Sequence, residues 1–196
     1  MAWGASKKGI ADVLDKLERD DAANDVVYIM RTRKITAAEG TRLGKVLARN
    51  TTLTELYASG HRLDASAANA IADALKTNRT LRKLCVGDYS FGDSGVSALA
   101  EGLATNQGLL VLDLEYKSVG VGGAIALSNM MRLETNVLQE LLLSRNALND
   151  EAVIKLSDGV QRLRVLDLSE NAFGASGAAA LVTTHSNWRL LFDLKW

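Results

Sequence analysis

Proline is absent from this chain of 196 residues, and cysteine occurs only once, as Cys85. A single thiol cannot form an internal disulfide, which excludes the small secreted folds that several disulfides stabilise. One cysteine and two histidines, His61 and His185, show no metal-ligand spacing. We therefore predict no metal and no other cofactor, and the lone thiol favours a reducing, intracellular compartment.

Charge of one sign and long apolar runs are lacking as well. The 23 basic and 23 acidic residues give a formal net charge of zero, so the chain has no overall basic excess of the kind that binds phosphate backbones. No apolar run reaches the roughly 18 residues of a membrane-spanning helix, and charges in residues 1–15 interrupt the apolar stretch of a signal peptide. These absences predict a soluble cytoplasmic protein that binds neither nucleic acid nor membrane.

The sequence does contain an internal repeat. One phrase recurs in residues 46–56, 75–84 and 103–112, and each copy leads into a leucine-rich segment. The leucines that open these segments are spaced, by subtraction, 28, 28, 29, 25 and 27 residues apart. They are Leu53, Leu81, Leu109, Leu138, Leu163 and Leu190. A period of this length predicts a solenoid.

Each unit follows the pattern L-x-x-L-x-L-x-x-N-x-L. Residues 138–148 and 163–173 contain the asparagine, as Asn146 and Asn171. The earlier units keep the apolar positions but replace the asparagine with His61, Tyr89 and Lys117. The apolar register therefore extends over more units than the asparagine does.

Strand and helix alternate within each unit. In L-x-x-L-x-L the alternating leucines point to one side of an extended segment, whereas Ala67, Ile71 and Leu75 fall on one face of a helix. Neither element buries its apolar face alone, so the units become stable only when they stack.

This repeat resembles the leucine-rich-repeat superfamily, and the helical second half of a 28-residue unit is similar to its ribonuclease-inhibitor-like subclass. Relatives include NOD-like receptors, tropomodulins and Ran GTPase-activating proteins. The resemblance covers residues 25–196. It implies an α/β solenoid, a right-handed βα superhelix curved into a horseshoe arc, with parallel strands on the concave face and helices on the convex face.

The chain divides into two parts in this interpretation. Residues 1–24 form an N-terminal helical cap, because Ile10, Val13, Leu14 and Leu17 make a helical apolar stripe. Residues 25–196 form about six βα repeats and a terminal strand, beginning with a degenerate unit whose strand is 26–30 and whose helix lies near 37–48. The terminal strand is an open edge. It is expected to self-associate, to seat against a partner, or to continue into further repeats.

The concave face is the expected binding surface. From Leu53 onward its predicted positions hold eight acidic residues against three basic ones, and acidic surfaces attract basic partners. A polar face that is merely solvated is the alternative. The predicted partner-binding residues are Tyr57, Asp113, Glu115, Tyr116, Glu140, Arg145, Asp167, Glu170, Asp193 and Trp196.

The predicted function is a non-enzymatic module that binds a basic protein or peptide. No catalytic residue and no small-molecule substrate are predicted. His61 occupies the asparagine position of the repeat, and Cys85 has no histidine arranged beside it as a base. The glycines of residues 119–123 lack the lysine of a P-loop. The resemblance leaves two alternatives open. One is a GTPase-activating protein of the Ran type, and the other is a structural subunit of a cytoskeletal, ciliary or ribonucleoprotein assembly.

Overall fold

The computed structural model describes residues 9–183 and 189–191. Seven strands in this part of the chain form one parallel sheet in sequence order. They are β1 Val26–Tyr28, β2 Glu55–Ser59, β3 Lys83–Gly87, β4 Val111–Asp113, β5 Glu140–Leu142, β6 Val165–Asp167 and β7 Arg189–Leu191. Seven helices alternate with them: α1 Ala11–Glu18, α2 Ala37–Leu47, α3 Ala65–Thr77, α4 Gly92–Leu103, α5 Val121–Met131, α6 Asp150–Ser157 and α7 Ala175–Val182.

A row of apolar residues runs across the sheet at one register. Val27, Leu56, Leu84, Leu112, Leu141, Leu166 and Leu190 pair in succession from β1 to β7. The five leucines from β2 to β6 are fully buried between the strands and the helices. Each coil thus shares its core with its neighbours, which confirms the predicted leucine-rich-repeat solenoid.

The predicted register of the last strand is wrong. Leu190 was taken as the equivalent of Leu163, but it pairs with Leu166. Leu191 therefore pairs with Asp167, at the position for which the sequence analysis selected Asp193. Leu190, Leu191 and Leu194 follow one another closely, so a leucine spacing alone does not determine which of them opens the strand.

Buried asparagines connect successive coils where each helix leads into the next strand. Asn78 donates hydrogen bonds to the carbonyl oxygens of Leu47 (2.7 Å) and Asn50 (3.1 Å), and it accepts one from the N–H of Leu81 (2.8 Å). Asn106 repeats these contacts one coil later. The recurring sequence phrase contains all of these asparagines, but the sequence analysis did not predict that they connect the coils.

The first helix belongs to the same layer as the others. Asn50 donates to the carbonyl oxygen of Leu17 in α1 (2.9 Å), as Asn78 donates to that of Leu47 in α2. Ile10, Leu14 and Leu17 are buried against the core. Helix α1 therefore stacks as the helix of an additional coil, and the assignment of residues 1–24 to a separate cap remains a prediction.

Small residues let neighbouring helices approach closely. A Cβ atom on Gly102 in α4 would lie 2.2 Å from the carbonyl oxygen of Ala72 in α3. A larger residue would separate these helices, because backbone cannot move aside as a flexible side chain does. No helix in the described residues is both long and apolar enough to cross a membrane.

Candidate functional site: the concave strand face

The strand residues between the buried leucines form the concave face. Asp113, Glu140 and Asp167 lie on the adjacent strands β4, β5 and β6, and all three side chains are half-buried. None of them forms an ion pair with another residue in the described ranges. The structure thus brings three of the predicted acidic residues onto adjacent strands: Asp113 and Asp167 lie at one register with Leu142 between them, and Glu140 lies at the register of Val111 and Val165. The ammonium groups of Lys83 and Lys117 attract Asp113 and offset part of its charge.

Three further predicted residues form an ion-pair chain at the rim of this face. The Nε of Arg145 lies 2.8 Å from Glu170, and one terminal nitrogen of the same guanidinium lies 3.3 Å from Glu115. Arg145 therefore offsets part of the charge of two acids that the sequence analysis counted as available. The acidity of the face is concentrated in Asp113, Glu140 and Asp167 instead.

The rim residues share an unusual backbone conformation. Tyr116, Arg145 and Glu170 have φ angles of 56°, 57° and 56°, in the left-handed region that non-glycine residues seldom adopt. The side chains of all three are exposed. Successive coils thus present one protruding side chain each at the same turn position.

Tyr57 belongs to an aromatic group at the other end of the sheet. Its ring stacks on Tyr28 with centroids 4.5 Å apart, and the amine of Lys83 lies 5.0 Å from the centroid of the Tyr57 ring. The hydroxyl donates a hydrogen bond of 2.6 Å to Glu55, and this bond, together with burial, raises the pKa of Tyr57. Tyr57 is therefore held in place by its neighbours rather than projecting freely.

Sequence reasoning missed the exposed aromatic residue of this group. Tyr28 is 63% exposed, and Met30 is exposed to the same extent. The first unit is degenerate, so the positions predicted to line the concave face begin only at Leu53. The alternation in Val26, Tyr28 and Met30 was the signal that could have identified them.

A buried lysine replaces the asparagine in the fourth unit. Lys117 is only 1% exposed, and its ammonium donates hydrogen bonds to the Ser59 hydroxyl (2.9 Å) and to the carbonyl oxygen of Glu115. Burial lowers the pKa of Lys117. In the unit between those of Ser59 and Lys117, Tyr89 replaces the asparagine of the repeat, but its side chain points outward and is 62% exposed. The side chain of Lys117 therefore crosses the coil in which no side chain at the asparagine position points inward.

A small cavity lies beside this lysine. Its volume is about 190 Å³, and Tyr89 and Tyr116 are among its lining residues. Both tyrosines are exposed. Tyr116, which the sequence analysis selected, is thus accompanied by a second rim tyrosine that it did not select.

His61 and Cys85 are both buried. The Nε2 atom of buried His61 lies 3.0 Å from the carbonyl oxygen of Ile29. Burial and the nearby Asp113 carboxylate raise the pKa of the Cys85 thiol to about 11. No group of three or more His, Cys, Asp and Glu side chains within the described ranges is arranged to hold a metal ion. Asp193 and Trp196, the remaining predicted contacts, lie outside the described residues.

Comparisons with known proteins agree with this architecture. A family profile described as "Leucine Rich repeat" matches residues 161–182. No curated protein sequence matches the chain. Among the solved structures that match is one described as "Leiomodin-1 Actin-Binding Site 2 (ABS2)", with a TM-score of 0.53 and 16% identity over 89% of this chain and 84% of that one. At this identity the likeness shows the fold alone. The repeat pattern and the single parallel sheet show a leucine-rich-repeat fold, and the segment 161–182 is similar to the repeat that the family profile describes.

Proposed function

We propose that this protein is a non-enzymatic interaction module whose concave face binds a basic protein or peptide. The observation that carries the proposal is the cluster of three carboxylates formed by Asp113, Glu140 and Asp167, none of which forms an ion pair within the described residues. Neighbouring strands lie about 4.8 Å apart, so the three charges fall within roughly 10 Å of one another. A lysine- or arginine-rich segment lying across the strands can contact all three.

The surroundings of these three carboxylates favour binding over simple solvation. Partial burial reduces the screening that water provides, so these carboxylates attract a cation more strongly than fully exposed ones do. The exposed ring of Tyr116 adds an aromatic surface of the type that contributes most to protein interfaces.

The test compares two triple variants that remove the same number of charges. The concave variant carries Asp113→Asn, Glu140→Gln and Asp167→Asn, and the control carries Glu101→Gln, Glu134→Gln and Glu151→Gln at exposed positions in or beside the helices. The probe is a synthetic 20-residue lysine-rich peptide, titrated by calorimetry at 50 and 300 mM salt. We expect the concave variant to lose at least about tenfold in affinity at low salt, or 1.4 kcal/mol, and the control to lose little. Equal losses in both variants contradict the proposal.

A cytoskeletal assembly role is the second candidate. It is favoured by the fold that the chain shares with a leiomodin-1 region described as an actin-binding site. Co-sedimentation with actin filaments, and a gel-filtration assay with monomeric actin, test this candidate directly. Absence of actin binding in both assays contradicts it. Ran-type GTPase activation, the ribonuclease-inhibitor-like subclass, cytoplasmic location and self-association through the C-terminal strand remain predictions.

A further inference from the structure

The outer edge of strand β1 has backbone groups that no described residue pairs. On its inner side, the Ile29 N–H donates to the carbonyl oxygen of Tyr57 (2.8 Å), and the Asp25 carbonyl accepts from the N–H of Thr54 (2.7 Å). Strand residues alternate in direction, so the N–H and C=O groups of Val26 and Tyr28 point away from β2. Within the described ranges, no strand lies on that side of β1.

The same edge leaves apolar surface uncovered. Val27 is only partly buried, whereas its partner in the leucine row, Leu56, is fully buried. Helix α1 covers the core at this end, but the coil to which α1 belongs has no described strand in front of it. The space beside β1 therefore has the position and the hydrogen-bonding groups of a strand site.

Side chains on the concave side of β1 add a row of exposed apolar contacts. Val26 and Tyr28 alternate with the core-facing Val27, and Met30 continues the row. The stacked rings of Tyr28 and Tyr57 lie 4.5 Å apart, which is close to the spacing of adjacent strands. A ring on an added strand can thus extend the stack by one member.

Opposite charges flank this row. Asp25 precedes β1 and Arg31 follows Met30, and both are exposed. Neither forms an ion pair with another residue of the described chain. An antiparallel segment placed on this edge would have its amino end beside Arg31 and its carboxyl end beside Asp25.

We propose that the open edge of β1 binds an extended peptide as an added antiparallel strand. The peptide has apolar side chains at alternate positions, an acidic residue at its amino end and a basic residue at its carboxyl end. Main-chain hydrogen bonds supply affinity and the alternate side chains supply specificity in such strand addition. A second folded copy fits this edge poorly, because each copy would bring its own α1 and α2 into the helix layer behind the strand.

The probe is a blocked heptapeptide, Asp-Val-Val-Tyr-Ile-Met-Arg, labelled at its amino end. It reproduces residues 25–31, a sequence whose acidic start and basic end match this edge in the antiparallel direction. Fluorescence anisotropy with the full chain should show saturable binding. N-methylation at peptide positions 4 and 6, which lie opposite Tyr28 and Val26, should abolish binding, whereas N-methylation at positions 3 and 5 should leave it within about threefold.

Two protein variants separate backbone pairing from side-chain contact. Tyr28→Pro removes an outward N–H that β2 does not use, and proline is tolerated on edge strands. Tyr28→Val keeps that N–H and removes only the ring. We expect Tyr28→Pro to lose at least tenfold in affinity and Tyr28→Val to lose less, with unchanged circular dichroism and melting temperature showing that both variants fold.

Three results would overturn the proposal: no saturable binding, binding that ignores the position of the N-methyl groups, or equal losses in both Tyr28 variants. A concentration-dependent dimer in sedimentation that Tyr28→Pro removes would assign the edge to a second copy instead. Asp113, Glu140 and Asp167 are unchanged in these variants. A failure of peptide binding at the β1 edge therefore leaves the proposed function of the concave face untouched.

Discussion

The side-chain amides of buried asparagines connect successive coils by hydrogen bonds. Each carboxamide satisfies both donor and acceptor groups of the backbone where the chain leaves a helix, a place where buried carbonyl and N–H groups would otherwise lack partners. Asn78 makes four such hydrogen bonds, two as donor and two as acceptor. Its contribution therefore exceeds that of a typical exposed polar residue.

Replacing Asn78 with alanine should lower the free energy of unfolding by about 3 kcal/mol, because buried groups left without partners cost roughly 1–3 kcal/mol each and the coil relaxes in part. Urea unfolding followed by circular dichroism measures the change. Asn69→Ala is the matched control, since Asn69 is exposed on α3. If Asn78→Ala lowers the free energy of unfolding no more than the control does, the buried asparagines do not stabilise the stack of coils.

The Cys85 thiol should react slowly in the folded protein. With a pKa of about 11 instead of the ordinary 9.0, its thiolate fraction at pH 8 falls from about one in ten to about one in a thousand. Reaction with a chromogenic disulfide should therefore be on the order of 100-fold slower than in the chain unfolded by guanidinium at the same pH, and should accelerate up to pH 10. Similar rates in the folded and unfolded states would show that Asp113 and burial do not protect the thiol.

Among the helices, Glu39 connects the first two. Its carboxylate accepts from the N–H of Thr36 (3.0 Å) at the start of α2 and from the N–H of Ile10 (2.7 Å) at the start of α1. The Thr36 hydroxyl accepts in return from the N–H of Glu39 (3.2 Å), which completes a capping box. Partial burial raises the pKa of Glu39, but these donated hydrogen bonds outweigh it, so the pKa lies below 4.5.

Glu39→Gln should lower the free energy of unfolding by about 1 kcal/mol at pH 7, the usual magnitude of a helix cap. A carboxyl whose pKa is depressed in the folded state adds stability above its unfolded pKa, and that contribution is lost as the pH falls through the folded pKa. The gap between wild type and variant should therefore close below pH 4. Unfolding curves from pH 3 to pH 7 measure it, and Glu151→Gln serves as the exposed control. A gap that persists unchanged at pH 3 would exclude the ionised carboxylate as its source.

The repeat period predicted most elements well, because strand and helix each need one apolar face in every unit. It failed where equivalent residues follow one another, as in Leu190 and Leu191, whose register depends on hydrogen bonding across the sheet. The alternation of side chains along the strands predicted that Asp113, Glu140 and Asp167 share the concave face. The pairing of Arg145 with Glu115 and Glu170 was not, since it depends on which rotamers meet across adjacent coils. Tyr28 was missed because its unit lacks the leucines that define the pattern.

Along the whole molecule, the seven described strands pair in chain order. Each coil therefore depends on its two neighbours, and stability is expected to spread along one dimension. The terminal coils have one neighbour each within the described chain, and helix α1 belongs to one of them. Local opening should begin at the ends and reach the central strands last.

Leu112→Ala tests this one-dimensional coupling. Leu112 is fully buried on the central strand β4, and its truncation should cost about 3 kcal/mol. Because perturbations pass from coil to coil, amide hydrogen exchange should accelerate most in β3, β4 and β5 and least in α1 and α7. Leu14→Ala in α1 removes the same atoms from an equally buried position at the end of the array, and should accelerate exchange mainly in α1 and α2. Uniform acceleration over the whole chain in both variants would show that the coils unfold as one cooperative unit, because in that case every amide exchanges through global unfolding.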